Sequence, residues 1–199
     1  MRTLIALLCS MIVSAAAWGQ TYPSFHSVTG VAADDFLNVR QAPSADAEII
    51  GTLAPYAKNV EIVSSDQTGR WGLTNLGETA GWVALRYLQK DADDPEYPIS
   101  RTLSCYGTEP FWSLKIQQSG PSDYSDQNGV EQTFATGTWQ RGRGRPDVFV
   151  LNLEQTYYAV LRYEQCDDGM SDRMFGLSIN LIFRDTTPQL LSGCCSLLK

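Results

Sequence analysis

Residues 37–44 read Leu-Asn-Val-Arg-Gln-Ala-Pro-Ser and decide the fold of the first part of the chain. Leu37 and Val39 alternate with polar residues, which is the period of a half-buried strand, and Pro43-Ser44 then forms a loop. Further short apolar stretches follow at intervals of roughly ten residues, separated by Gly, Pro and Ser. This spacing predicts a small β-barrel or sandwich. The stretches occupy residues 49–53, 60–63, 71–75 and 81–84.

The second part of the chain is also strand-like, and no stretch keeps a helical period long enough to compete. Loops rich in Gly, Pro, Ser and Asn separate its apolar stretches. We therefore predict an all-β chain whose second part is an antiparallel meander or a partly closed barrel. The predicted strands cover residues 111–116, 133–139, 148–153, 157–163, 177–183 and 190–194.

A polar, acidic and proline-bearing segment at residues 90–98 divides the two parts and is predicted to be a linker. It separates a first domain at 27–89 from a second at 99–199. Residues 1–19 have the pattern of a secretory signal peptide: Arg2, an apolar run from Leu4 to Ala17, and cleavage frames after Ala17 or Gly19. A retained membrane anchor is the alternative, but the run falls short of the roughly 20 apolar residues that a span needs. We expect that the signal peptide is cleaved, that no membrane span remains afterwards and that the mature protein is periplasmic.

The charge composition of the chain disfavours two classes of binding partner. The chain has 22 Asp and Glu against 15 Lys and Arg, so nonspecific binding to nucleic-acid phosphates or to anionic membranes is disfavoured. We found no glycine-rich phosphate motif and no cofactor motif.

Four cysteines follow the predicted cleavage site: Cys105, Cys166, Cys194 and Cys195. An even number in an exported chain indicates disulfides. If residues 193–197 form a strand, Cys194 and Cys195 point to opposite faces, so that each has a different partner. A metal site is disfavoured because the chain has no C-x-x-C motif and His26, the single histidine, is distant in sequence.

The first domain resembles bacterial SH3 (SH3b) domains. The similarity lies in six ordered blocks, and it implies a small SH3-like barrel of the cell envelope that binds peptidoglycan or peptide segments, or acts as a spacer. The blocks are Leu37-Asn38-Val39-Arg40-Gln41-Ala42-Pro43-Ser44, Ile50-Gly51-Thr52-Leu53, Val60-Glu61-Ile62, Gly69-Arg70-Trp71, Gly81-Trp82-Val83 and Tyr87-Leu88.

The second domain resembles an uncharacterised family of bacterial envelope proteins with G-N-E-P-F-W and C-x-D-G-M-S-D motifs. Here they read Gly107-Thr108-Glu109-Pro110-Phe111-Trp112 and Cys166-Asp167-Asp168-Gly169-Met170-Ser171-Asp172, with Thr108 in place of Asn. This resemblance implies the disulfides Cys166–Cys194 and Cys105–Cys195. It implies no particular enzymatic reaction.

Candidate ligand-binding residues occur in both domains. In the first, SH3-like folds receive extended ligands on rim aromatics, which favours Arg40, Tyr56, Trp71 and Tyr87, whereas Trp82 is expected in the core. In the second, Glu109 and Trp112 are candidates that offer a carboxylate and an aromatic surface, although such a cluster more often begins a strand and fills a barrel. Asp172 and Arg173 follow in a turn-forming segment with Asp167 and Asp168, and a polar recognition site is expected if these side chains converge.

The predicted function is that of an exported binding protein and not an enzyme. Its SH3b domain would dock on peptidoglycan or on a peptide segment of an envelope protein. An inhibitor of a wall-degrading enzyme such as lysozyme is the alternative, because small disulfide-bonded barrels suit insertion into a cleft. A wall hydrolase is the third and least favoured class, because the G-x-S-x-G motif is missing and His26 precedes both domains.

Overall fold

The structure is a computed structural model that describes residues 22–93, 97–154, 157–183 and 189–199. The predicted signal peptide, residues 1–19, lies outside the described residues. The described chain is all-β, as predicted, with two short 3-10 turns at Leu85–Tyr87 and Pro98–Ser100. Within these ranges, no helix has the length and hydropathy needed to cross a bilayer.

Eight short strands form the first module. They build two small antiparallel sheets, of order β4-β1-β8 and β3-β2-β7-β6-β5. Leu37 and Val39 face a core shared with Ile62 and Val83, so the alternation in residues 37–40 does place one face of a strand inside. The strands are β1 (Ser24–Val28), β2 (Leu37–Arg40), β3 (Ile49–Leu53), β4 (Val60–Ile62), β5 (Ser64–Ser65), β6 (Trp71–Leu76), β7 (Thr79–Ala84) and β8 (Leu88–Lys90).

The first module extends beyond the predicted range of 27–89. Strand β1 begins at Ser24 and contains His26, which is buried. His26 was expected to precede both domains and instead belongs to the first module. Asp91, in the predicted linker, accepts a 2.6 Å hydrogen bond from Ser27 Oγ. Strand β1 was missed because its central position in the β4-β1-β8 sheet depends on partners far along the chain.

Trp82 is not a core residue, contrary to the prediction. On β7, Gly81 and Val83 are buried whereas Trp82 is half-buried. Successive side chains of a strand point to opposite faces, so Trp82 lies on the outer face, where its cross-strand partner is Arg40.

Nine strands form the second module and a single antiparallel sheet. Its order is β12-β11-β10-β9-β17-β16-β15-β14-β13, a meander in which the last strand of the chain inserts between β9 and β16. The strands are β9 (Thr102–Thr108), β10 (Phe111–Ile116), β11 (Ser122–Asp126), β12 (Glu131–Phe134), β13 (Gln140–Arg141), β14 (Val148–Leu153), β15 (Tyr157–Cys166), β16 (Phe175–Phe183) and β17 (Leu190–Leu198).

This sheet curls around one apolar interior, which makes it the partly closed barrel that was predicted. Alternate residues of its strands face inward, and Leu103, Leu114, Leu161 and Ile179 are among those that are essentially inaccessible to solvent. A run of four aromatic rings with centroid distances of 4.8 to 6.4 Å fills part of the interior. These rings belong to Trp112, Tyr124, Tyr157 and Phe134, and Phe183 packs on Tyr157 from the side.

The predicted strand at residues 133–139 ends early, at Phe134. Beyond it the chain leaves β12 and crosses to the end of β14, where Gly137 N–H donates to Asn152 O at 3.0 Å. A Cβ at Gly137 would lie only 2.5 Å from that carbonyl oxygen, so the close approach requires glycine. This crossing connects the two edge strands of the curled sheet, β12 and β13.

Two disulfides cross-link the second module, with the pairing that the family resemblance implies. Cys105–Cys195 joins the neighbouring strands β9 and β17, and Cys166–Cys194 joins β15 to β17. Cys195 belongs to the apolar interior, whereas Cys194 faces a cavity on the outside of the sheet. The adjacent cysteines therefore use the opposite faces of one strand, as predicted.

The two modules are in direct contact. Phe25 of β1 is buried in the apolar cluster of the second module. Ala80 N–H donates to Asp172 O at 2.8 Å, and Leu197 N–H donates to Glu61 Oε1 at 3.0 Å. The interface thus combines a shared core residue with backbone hydrogen bonds.

Candidate ligand-binding cleft

A cleft lies on the outside of the first module. It consists of two adjoining cavities of about 430 Å³ and about 1090 Å³, and Trp71 and Arg86 line both. The smaller cavity also contains Arg40 and Tyr87. The structure therefore brings three of the four candidate residues of this module, Arg40, Trp71 and Tyr87, to one cleft.

Trp71 stands where the two cavities meet, at the start of β6. Its backbone N–H donates to Asp66 Oδ1 at 2.9 Å, which fixes the beginning of the strand. Its cross-strand partner is Ala84, whose small side chain leaves room beside the indole. The indole is half-buried, so part of the ring is open to the cleft.

Asp66 orders the loop that forms one wall of the larger cavity. Its carboxylate accepts hydrogen bonds from the Thr68 hydroxyl and from the N–H groups of Thr68, Arg70 and Trp71. These contacts, chiefly the Thr68 hydroxyl, lower the pKa of Asp66 to about 2. The loop is thus held by a carboxylate that is ionised at neutral pH, and Trp71 is held with it.

Two arginines bring positive charge to the smaller cavity. Arg40 donates from one guanidinium nitrogen to Ala47 O at 2.7 Å, and its other N–H groups remain for a ligand. Arg86 lies over the Tyr87 ring, with its Cζ 4.7 Å from the ring centroid. The cation and the ring stabilise each other's orientation, so the cavity offers a guanidinium and an aromatic face side by side.

The smaller cavity, whose charged lining residues are Arg40, Arg86 and Asp35, suits a ligand that carries carboxylates. Guanidinium groups bind carboxylates through paired N–H donors, and Trp and Tyr faces bury apolar area at a low entropic cost. Both kinds of group lie within one continuous depression around Trp71.

Tyr56 does not line this cleft. It lies in the loop between β3 and β4 and is 69% exposed, so its position does not join it to Arg40, Trp71 and Tyr87. Its assignment as a ligand-binding residue remains a prediction.

The acidic candidates of the second module converge only in part. Glu109, Asp167 and Asp168 line a cavity of about 360 Å³ on the outside of the barrel. Burial opposes the ionisation of Asp168, but the N–H groups of Met170 and Ser171, the Ser171 hydroxyl and the charge of Arg173 outweigh it and lower the pKa of this carboxyl. Arg173 thus acts on Asp168 electrostatically.

Asp172 is not part of that cavity. Its carbonyl pairs with Ala80 and its backbone forms an isolated bridge with Thr79, so it lies at the contact between the modules. The four carboxylates therefore do not form one site. Within the described ranges, no group of three His, Cys, Asp or Glu side chains is placed to hold a metal ion.

Trp112 is not a surface residue, and its strand fills the barrel, which was the alternative interpretation of this segment. It is 4% exposed because residues 112, 114 and 116 of β10 all face the barrel interior. A Cβ at Gly107 would lie 1.9 Å from the indole nitrogen, so β9 passes directly against this ring. The exposed aromatic of the segment is instead its neighbour Phe111, at 49%.

Sequence reasoning missed Arg86 and Asp66 as contributors to the cleft. Arg86 precedes Tyr87 directly, and its role depends on the 3-10 turn that stacks it on that ring. For Asp66 a signal was present: an aspartate followed two residues later by Thr68 and then by Gly69 is typical of a turn closed by a side chain.

Comparisons with known proteins give one match. No curated protein and no solved structure is significantly similar to the chain. The resemblance drawn for the second module on its Glu109 and Cys166 motifs has no support in these comparisons. Residues 35–89, which run from just before β2 into β8 and contain Arg40, Trp71, Arg86 and Tyr87, match the bacterial SH3 domain family.

Proposed function

We propose that the chain is an exported cell-envelope protein that binds and does not catalyse, and that its SH3 module docks on peptidoglycan or on a peptide segment of an envelope partner. The observation that carries this proposal is the cleft around Trp71, most of whose lining residues lie within the part of the chain that matches the bacterial SH3 domain. A bacterial SH3 domain is typical of wall-binding and peptide-binding modules.

The chemistry of the cleft supports this ligand class. Peptidoglycan stem peptides are extended and carry carboxylates, which match Arg40 and Arg86. Trp71 and Tyr87 supply flat apolar faces for the peptide backbone and side chains. Because Arg40 and Arg86 outnumber the one lining carboxylate of the smaller cavity, Asp35, and lie there beside Trp71 and Tyr87, the peptide portion of the wall is the preferred target.

Two observations support an exported location for the protein. A bacterial SH3 domain together with two disulfides fits an extracellular or periplasmic compartment, since such compartments form and keep disulfides. Export through the signal peptide at residues 1–19 is part of the proposal.

Co-sedimentation with purified sacculi tests the proposal on the whole mature chain. We expect wild type to pellet with sacculi, and Trp71→Ala and Arg86→Ala to weaken binding by about tenfold or more, as is usual for a central aromatic or arginine contact. Ile49→Ala is the matched control, because it removes a large side chain of the same module that is 48% exposed and lines neither cavity. It should pellet as wild type does.

Two results would contradict docking of the SH3 module on peptidoglycan and would leave a peptide segment of an envelope partner as its ligand. One is a wild-type chain that stays in the supernatant at all sacculus concentrations. The other is equal pelleting of wild type, Trp71→Ala and Arg86→Ala, which would place the wall-binding surface elsewhere.

A further inference from the structure

The outer face of the second module carries two polar depressions that meet at one exposed aromatic. One has a volume of about 360 Å³ and the other about 400 Å³, and Tyr106 lines both. Tyr106 is 39% exposed, in the middle of β9, which lies between β10 and β17 in the sheet. The two depressions are therefore halves of one groove that crosses the strands, with a tyrosine at its centre.

The ring of Tyr106 is held in place and open on one side. The Ser104 hydroxyl, two residues earlier on the same face of β9, donates to the Tyr106 hydroxyl. The cross-strand partners of Tyr106 are Ser113 on β10 and Cys194 on β17, both with small side chains. A ring fixed at its tip and flanked by small residues presents a flat aromatic platform to solvent.

Hydrogen-bonding groups lie on both sides of this platform. On one side Ser192 Oγ donates to Asn180 Oδ1 at 2.8 Å, which directs the Asn180 carboxamide and leaves its N–H donors for a ligand. On the other side Thr133 Oγ1 donates to Asp123 Oδ1 at 3.0 Å. These side chains hold one another in defined orientations, so a ligand would find donors and acceptors already placed.

The length of the groove follows from the strand register. Glu131, Ser125, Ser113, Tyr106, Cys194 and Ser178 form one row across six neighbouring strands. Strands in a sheet are spaced by about 4.8 Å, so this row is roughly 24 Å long. The groove therefore accommodates an oligomeric ligand of several rings.

The charge of the groove excludes anionic ligands. Lys115 is the single Lys or Arg among its lining residues in the two described depressions, whereas six lining residues are carboxylic acids. A ligand with phosphate, sulfate or carboxylate groups would be repelled. The acids are Glu109, Asp123, Glu131, Glu164, Asp167 and Asp168.

We propose that this groove binds a neutral oligosaccharide, with one sugar ring stacked on Tyr106 and the sugar hydroxyls bonded by Asn180 and the lining carboxylates. A flat aromatic face matches the C–H face of a pyranose ring, and carboxylates and carboxamides are suitable partners for vicinal hydroxyls. The inference goes beyond the proposed function, because it concerns a different module and a ligand without charge.

Titration of the whole mature chain with the N-acetylglucosamine tetramer, followed by calorimetry or NMR, tests the inference. We expect saturable binding, weakened by about tenfold or more in Tyr106→Ala because the stacking face is lost. Tyr106→Phe keeps the face and should bind within about threefold of wild type, since a peripheral hydroxyl contact is worth little. Tyr158→Ala is the matched control: it also removes a partly exposed tyrosine of the barrel, 36% exposed, but one that lines neither depression. It should bind as wild type does.

Three results would overturn the inference: no binding of the tetramer at millimolar concentration, equal affinity of wild type and Tyr106→Ala, or equally strong binding of a galacturonic acid tetramer. Trp71→Ala should retain full binding of the N-acetylglucosamine tetramer. A chain that loses pelleting with sacculi through Trp71→Ala and still binds the tetramer shows that the two sites are independent. Pelleting that survives Trp71→Ala but not Tyr106→Ala would place wall binding in the groove, so failure of either proposal is distinguishable from failure of the other.

Discussion

Asn75 and Met174 exchange two hydrogen bonds across the contact between the modules. Asn75 Nδ2 donates to Met174 O at 2.8 Å, and Met174 N–H donates to Asn75 Oδ1 at 3.0 Å. One carboxamide thereby satisfies both backbone groups of a residue 99 positions away in the sequence. This geometry fixes the end of β6 against the segment that leads into β16.

Replacing Asn75 by alanine removes both partners of Met174 at once. The backbone N–H and carbonyl of Met174 are then left without their partners in a half-buried position, which costs about 1 to 3 kcal/mol of unfolding free energy. Urea unfolding of the whole chain measures this loss. Gln89→Ala, which truncates an exposed amide of the same module, is the control and should change stability by less than about 0.5 kcal/mol. Equal stability of the two variants would contradict the role given to Asn75.

Phe25 links the cores of the two modules. It belongs to β1 of the first module and yet is buried among the barrel residues, with Arg101 Cζ 5.0 Å from the ring centroid. We expect Phe25→Ala to cost about 3 to 5 kcal/mol through the cavity that it leaves in the second module. Unfolding of wild type should be a single transition, because this core residue couples the modules. Tryptophan fluorescence and far-UV circular dichroism should report the same unfolding transition. Two separated transitions in wild type would contradict the coupling of the modules.

The strands with clear alternation were predictable, and those determined by long-range pairing were not. Leu37 and Val39 indicate β2 directly because each apolar side chain is followed by a polar one. Strand β11 was missed because Ser122, Ser125 and Asp126 are turn-forming residues, and Tyr124 is its one large apolar side chain facing the interior. The neighbours of β11 in the sheet, and not its own composition, make it a strand.

Among the candidate site residues too, some could be predicted from the sequence and others could not. Arg40, Trp71 and Tyr87 were predictable because the SH3-like pattern places them on one rim. Trp112 was retained as a binding candidate because a two-residue period does not say which set of alternate residues is inside. Tyr106 could not be identified as a binding candidate from the sequence, because its groove exists only through a register that spans six strands.

The two disulfides differ in their access to solvent, which predicts the order in which they are reduced. Cys166 is half-buried and lines the 360 Å³ depression together with Cys194, whereas Cys105 and Cys195 are both 0% exposed. A thiolate must approach a sulfur atom to break the bond. We therefore expect mild dithiothreitol to reduce Cys166–Cys194 in the folded chain and to leave Cys105–Cys195 intact.

Differential alkylation with mass spectrometry measures this order. Peptides that contain Cys166 and Cys194 should acquire the first label, and the oxidised mature chain should show no free thiol. The double variant Cys166→Ser with Cys194→Ser is the control and should resist labelling of Cys105 and Cys195 under the same conditions. Labelling of all four cysteines at one rate would contradict the difference in access.

The low pKa of Asp66 makes the loop beside Trp71 sensitive to acid. Its value of about 2 in the folded chain lies below the ordinary 3.8, chiefly because of the Thr68 hydroxyl. A carboxyl whose pKa is lower in the folded state stabilises that state at pH values above its unfolded pKa, and the contribution is lost as the pH falls through about 2. Wild type should therefore exceed Asp66→Asn in stability at pH 5, and the difference should disappear between about pH 4 and pH 2. Thr68→Val, which replaces the hydroxyl by a methyl group of similar size, should raise the pKa of Asp66 toward its ordinary value. Titration of the Asp66 carboxyl by NMR in both chains distinguishes the outcomes, since an unchanged pKa in Thr68→Val would show that the hydroxyl is not its cause.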